Sequence, residues 1–147
     1  MNFTTITNTN IEVIDFYTPT LVSVNPNKLY VFGDNTRRIG RGGQAIIRHC
    51  INSFGITTKI NPDMRSNSFF NDRQEEFTYV LQDLSALTDI YLCNVYDAIV
   101  FPSSGIGTGL SRLPECSPLI LNMIDTYFEL FFNIKKNDKT KKYELIA

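Results

Sequence analysis

The residues of this chain whose types and spacing suit chemistry are two glycine-rich stretches, Gly40-Arg41-Gly42-Gly43 and Gly105-Ile106-Gly107-Thr108-Gly109. Glycine lacks the Cβ that keeps a backbone away from an anion. It also permits the positive φ angles that turn successive N–H groups inward, so each stretch can cradle a phosphate. Each follows a short apolar run, Leu29-Tyr30-Val31-Phe32 before the first and Ala98-Ile99-Val100-Phe101-Pro102 before the second. In an α/β sheet, ligands gather beyond the carboxyl ends of the strands, where a helix start adds further N–H donors. Neither stretch closes with Gly-Lys-Ser or Gly-Lys-Thr, and neither fits the dinucleotide fingerprint with its acidic ribose binder. The pattern therefore argues against magnesium-dependent triphosphate hydrolysis and suits a diphosphate held mainly by backbone amides.

Polar residues around the loops each have two readings. Asn35, at the end of its apolar run, offers a donor and an acceptor to a ribose hydroxyl, and equally suits an Asn turn before Thr36. Arg37, Arg38 and Arg41 can pair with phosphate or form a solvated loop face. Phe69-Phe70 can stack on a base, although anchoring its polar loop to the core is the better reading.

Positioning these loops needs alternating strands and helices. Ile11–Phe16 alternates as a strand, Leu21–Val24 is expected to be extended, and Leu29–Phe32 is a buried strand ending in Gly33-Asp34-Asn35. A helix is expected from Gln44 through His49, and a β-branched strand over Gly55–Ile60. Asn71 or Asp72 is expected to cap a helix that carries Phe77, Val80, Leu81 and Leu84. Ile90–Leu92 is expected to be a middle strand. Ser117 and Pro118 open a last helix presenting Leu121, Ile124, Phe128 and Phe131 on one face. Lys135–Lys142 is a lysine-rich tail of solvated charges, and Tyr143–Ile146 is a candidate edge strand. The expected fold is α/β, one domain over residues 1–147, with a mixed, mainly parallel central sheet and helices on both faces.

Composition narrows the classes further. At 147 residues the chain can bury one core without staples, and a formal net charge of -1 supplies no basic field for a DNA or RNA duplex. Cys50, Cys93 and Cys116 are odd in number and widely spaced, so they write neither a disulfide framework nor a paired-cysteine zinc site and are expected to be buried or idle. The single histidine, His49, cannot assemble a metal site. Met1–Ile6 lacks a secretory pattern, and Leu119–Phe132 is too interrupted by Asn122, Asp125 and Glu129 to span a bilayer. A cytoplasmic protein without metal, cofactor or membrane partner is the expectation.

The succession Val31–Asn35, Gly42–Ala45, Gly55–Lys59 and Gly105–Leu110 with Leu113-Pro114 resembles a divergent macro domain, and in particular the macro-like proteins of bacteriophages. The resemblance covers about residues 27–132 and implies a macro-like three-layer fold that binds ADP-ribose. It implies that Asn35 contacts a ribose, that Gly42, Gly43 and Gln44 form the first phosphate loop, and that Ser104, Gly105, Ile106, Gly107, Thr108 and Gly109 wrap the diphosphate and distal ribose. Asp15 matches the aspartate that takes the adenine amino group, although the surrounding Gly-Asp-Ile-Thr is absent. For catalysis the resemblance leaves Asp34, Asn35 and Lys59 as local candidates. Capture of an NAD-derived immune signal of the infected bacterium is the expected function. The alternative is an ADP-ribosyl hydrolase acting on modified macromolecules or on ADP-ribose phosphate. A third reading, inhibition of a partner through an unrelated surface, has no sequence feature behind it.

Overall fold

The computed structural model of the protein describes residues 8–146. Four strands, β1 (Asn10–Ile14), β2 (Lys28–Asp34), β3 (Ser53–Thr57) and β4 (Ala98–Pro102), form one sheet in the order β1-β4-β2-β3. All three ladders are parallel. The architecture is thus α/β with a parallel sheet, and the antiparallel component lies outside it, in the separate pair β5 (Ile134–Lys136) and β6 (Tyr143–Leu145).

Parallel strands covered on both faces must be apolar on both, and β2 shows how one run serves two cores. Leu29 and Val31 point into the larger core with Ile99 and Phe101 of β4. That core is completed by Val80, Leu84 and Leu87 of α2 (Gln74–Leu92) and by Ile120, Ile124, Phe128 and Phe132 of α4 (Pro118–Phe132). Tyr30 and Phe32 point the other way, with Ala98 and Val100, onto Val22 of α1 (Pro19–Ser23) and onto Ala45 and Ile47 of a 3-10 turn, Gly43–Ile47. Helical elements therefore cover both faces, long on one side and short on the other.

Several expected elements differ. Leu21–Val24 lies in and just after α1, because Thr18 caps the turn by accepting the Leu21 N–H and Pro19 sits at its first position. Gln44–His49 opens as the 3-10 turn instead of a longer helix. The third strand begins earlier and ends at Thr57, and Lys59 instead makes an isolated antiparallel bridge with Phe69. Ile90–Leu92 is no strand but the last turn of α2, in which Val80, Leu84 and Leu87 are buried and Leu81 is exposed. On α4 Ile124 and Phe128 are buried as expected, but the ends of the stripe are Ile120 and Phe132 instead of Leu121 and Phe131, and Phe131 is exposed.

Ser117 and Pro118 open α4 as expected, whereas neither Asn71 nor Asp72 is the cap of α2. The cap of α2 is Arg73, whose N–H, with that of Asn71, donates to the Glu76 carboxylate at 3.0 and 2.7 Å. Asp72 instead serves α4, accepting from Ile120 N–H at 3.0 Å, Leu119 N–H at 3.3 Å and the Ser117 hydroxyl at 2.5 Å. The expected tail folds back as β5 and β6 against the domain. None of the three thiols is fully buried, Cys93 being exposed and Cys50 and Cys116 partly so.

Candidate functional site

β2 and β4 deliver the two glycine stretches to the same end of the sheet. Between them lies a cleft of about 270 Å³ lined by Gly33, Gly42, Gly43, Gln44, Ser104, Gly107, Gly109, Leu110 and Ser111. A smaller chamber of about 70 Å³ adjoins it, sharing Gly33, Gly42, Leu110 and Ser111 and adding Asp34, Asn35 and Lys59 among its walls. A wider groove of about 580 Å³ between α4 and β5–β6 shares no residue with the glycine loops and mixes lysines with acids.

Gln44 ties the two sides of the cleft together. Its side-chain oxygen accepts from Gly33 N–H at 3.0 Å, and its amide nitrogen donates to the Gly105 carbonyl at 2.8 Å and to the Ser104 hydroxyl at 3.3 Å. The second loop is shaped by Gly105 and Gly107 at φ 96° and 83°. A Cβ on Gly107 would stand 2.2 Å from Leu113 Cδ1, so this loop is packed from behind and open in front. Thr108 closes it by donating from Oγ1 to the Ser104 carbonyl at 2.6 Å.

Beneath that loop stands Tyr143 of β6, which the sequence placed at an edge and not in the site. Its backbone N–H donates to the Ser103 carbonyl at 2.7 Å, its hydroxyl accepts from Ile106 N–H at 3.2 Å, and it donates to Asp125 at 2.7 Å. Burial, reinforced by the Asp125 carboxylate, pushes its hydroxyl well above the usual tyrosine range. The phenol therefore stays protonated and holds both bonds. Spacing could not reveal this contact, because it joins residues far apart in sequence through a hairpin of mostly polar residues.

The first loop is held by charge. Asp34 is buried, and both of its oxygens are engaged, Oδ1 with Arg48 at 2.6 Å and with Asn35 N–H at 2.8 Å, Oδ2 with Arg38 at 3.1 Å. Arg48 extends the pairing to the loop itself, donating to the carbonyls of Gly40 at 2.7 Å and Ile39 at 3.1 Å. Arg38 also reaches Asp83 at 2.7 Å and the Gly55 carbonyl at 2.9 Å, which covers the open edge of β3. Asn35 makes the turn expected of it, donating to the Ile39 carbonyl at 2.8 Å and accepting from Arg37 N–H at 3.1 Å. Arg37 and Arg41 are exposed.

Lys59 is buried on the chamber wall, donating to the Asp63 carbonyl at 2.6 Å, with Met64 Sδ at 3.5 Å and the Phe69 ring centre 4.6 Å away. Burial pulls its ammonium below the usual lysine range, Asp63 opposing and Arg112 adding to the effect. Phe69 and Phe70 are both buried, as loop anchoring requires. Asp15 is exposed just past β1, where one of its oxygens accepts from the Ser103 hydroxyl at 2.7 Å. Among the described residues, no group of three or more His, Cys, Asp or Glu side chains is placed to hold a metal ion, and no helix is long and apolar enough to cross a membrane.

These features define an α/β domain with a glycine-lined cleft at the carboxyl ends of parallel strands. The chain belongs to a family described as "Family of unknown function (DUF7831)", whose model matches residues 12–127. That span contains both glycine loops and all the residues lining the cleft. No curated protein and no solved structure matches the chain.

Proposed function

We propose that the protein is a macro-like module that captures an ADP-ribose-type nucleotide in the cleft between its glycine loops. The observation that carries this reading is the Gln44 bridge, which fixes two amide-rich loops opposite each other before any ligand arrives. A preformed cradle lowers the ordering cost of binding, which is what capture requires. In this reading the amides of Gly42, Gly43, Gly107 and Gly109, which line the cleft, face the diphosphate, Gly105 and Ile106 shape the loop from within, Asn35 lies toward the distal ribose, and the second oxygen of Asp15 meets the amino group of the base. The engagement of both Asp34 oxygens by arginines favours capture over hydrolysis, since a general base needs a lone pair directed at water. With the bacteriophage resemblance, the purpose is sequestration of an NAD-derived immune signal in a bacterial host.

Calorimetric titration with ADP-ribose, followed by denaturation and chromatography of the recovered nucleotide, tests the proposal. Saturable binding with intact ADP-ribose recovered is the expected result. Recovery of a smaller product would replace capture by the hydrolase reading, and absence of binding by ADP-ribose and its relatives would overturn both.

A further inference from the structure

Arginine and lysine are segregated in this fold. Six of the seven arginines lie in the segments 35–48, 58–69 and 103–112 that follow β2, β3 and β4, while five of the seven lysines lie in the β5–β6 hairpin. The three segments touch one another. Thr36 N–H donates to the Lys59 carbonyl at 2.9 Å, a Cβ on Gly40 would stand 3.2 Å from Pro62, and the Ser111 and Thr58 hydroxyls pair at 2.6 Å. They form one surface around the mouth of the cleft.

The acids of this surface are already used. Asp34 is matched by Arg38 and Arg48, and Asp63 faces both Arg65, at 3.5 Å, and the Lys59 ammonium. Arg37, Arg41 and Arg112 are exposed, and among the described residues none of them pairs with a carboxylate. Between these cations the surface is apolar. Ile39, Pro62 and Leu110 share the walls of the smaller chamber, with Ile39 42% and Leu110 54% exposed, and Met64 beside Arg65 is 50% exposed. Arginine and methionine are enriched where proteins meet and lysine is depleted there, because guanidinium is weakly hydrated and forks onto carboxylates. A single-stranded nucleic acid would need aromatic rings to stack on, and Phe69 and Phe70, the aromatics of this region, are buried.

We propose that the rim of the cleft is a docking face for a polypeptide segment of a partner protein that carries both carboxylates and aliphatic side chains. Its carboxylates meet Arg37, Arg41 and Arg112, and its aliphatic groups meet Ile39 and Leu110. Charge complementarity selects the partner, and the apolar centre anchors it. The face does not depend on what the cleft itself binds.

A library of displayed random short peptides, selected on the purified protein, supplies the probe. Enriched sequences should combine Asp or Glu with Leu, Ile, Val or Met. The strongest of them, synthesised with a fluorophore, should bind saturably by anisotropy and more weakly as salt is raised. Replacing Arg37 and Arg41 together by alanine should weaken that binding by about tenfold or more, as should Leu110→Ser. Replacing Lys139 and Lys142 by alanine removes the same charge from the hairpin and should leave it unchanged. Urea unfolding checks that each variant is folded; if Leu110→Ser is not, the two charge variants decide. No enrichment, enrichment without acids or without aliphatic residues, or equal losses in the arginine and lysine variants would overturn the proposal. Arginine-dependent binding of oligothymidylate or of phosphatidylserine vesicles in place of any peptide would overturn it too, and give the face to nucleic acid or membrane. Titration with ADP-ribose is read separately, so its failure would sink the nucleotide reading and leave the peptide result standing.

Discussion

Gln44 is hydrogen-bonded to Gly105 across the cleft, at 2.8 Å from its amide nitrogen to the carbonyl, while its oxygen holds Gly33 N–H on the opposite wall. One side chain thus sets the separation of loops that lie about sixty residues apart in sequence. Replacing Gln44 by alanine should lower affinity for ADP-ribose by about tenfold or more, because the loops must then be ordered by the ligand. Stability should fall by about 1–3 kcal/mol, since Gly33 N–H and the carbonyl of the buried Gly105 both lose a part-buried partner. Calorimetry paired with urea unfolding separates the two effects. Affinity equal to wild type would show that the loops do not depend on the bridge.

Gly107 and Gly109 make opposite predictions although they are two residues apart. Gly107 combines φ 83° with a Cβ position overlapping Leu113, so Gly107→Ala should destabilise the domain and displace the loop, by about 1–3 kcal/mol. Gly109 has no heavy atom within 4 Å of its Cβ position and lines the cleft. Gly109→Ala should therefore leave the unfolding midpoint within experimental error and still reduce nucleotide binding. A loss of stability in the Gly109 variant would mean that this segment packs more closely than its surroundings indicate.

Much of this site was legible in the sequence because its parts are local. An apolar run ending in glycine marks a buried strand and the loop after it, and both β2 and β4 appear where that pattern placed them. What escaped depends on contacts between distant residues. Ile90–Leu92 has strand-like composition, but it continues the stripe of α2, and packing of that stripe against β3 and α4 overrides the local preference. Asp72 is a good capping residue, and local spacing assigns it to the nearer helix. The fold gives it to α4, where its carboxylate meets the N–H groups of Leu119 and Ile120. Asp34 is a candidate for chemistry through the macro-domain resemblance. Its burial between Arg38 and Arg48 is a tertiary fact that no motif encodes.

Tyr143 carries a third prediction, because the C-terminal hairpin is part of the site's foundation. Tyr143→Phe keeps the ring among its aromatic neighbours, including Phe128 at 5.7 Å between centroids, and removes only the hydroxyl. Ile106 N–H then loses its acceptor in a fully buried position, and Asp125 keeps only its pairing with Lys136. The expected cost is about 1–3 kcal/mol of stability, accompanied by faster hydrogen exchange at Ile106. Exchange at Ile106 unchanged from wild type would show that the hydroxyl is not what holds the second loop.

Lys59 gives a prediction about stability and pH. Its ammonium titrates below the ordinary lysine value of 10.5 because it is buried, with Arg112 pushing the same way and Asp63 opposing. Between that lowered value and 10.5 the unfolded chain binds more protons than the folded one, so Lys59 makes stability rise as pH increases through this window. Subtracting Lys59→Met from wild type removes the contributions of other titrating groups, including the tyrosines. The difference curve from urea unfolding should rise with pH through this window. A wild-type and variant pair with the same pH profile would place the lysine's charge outside the folding equilibrium.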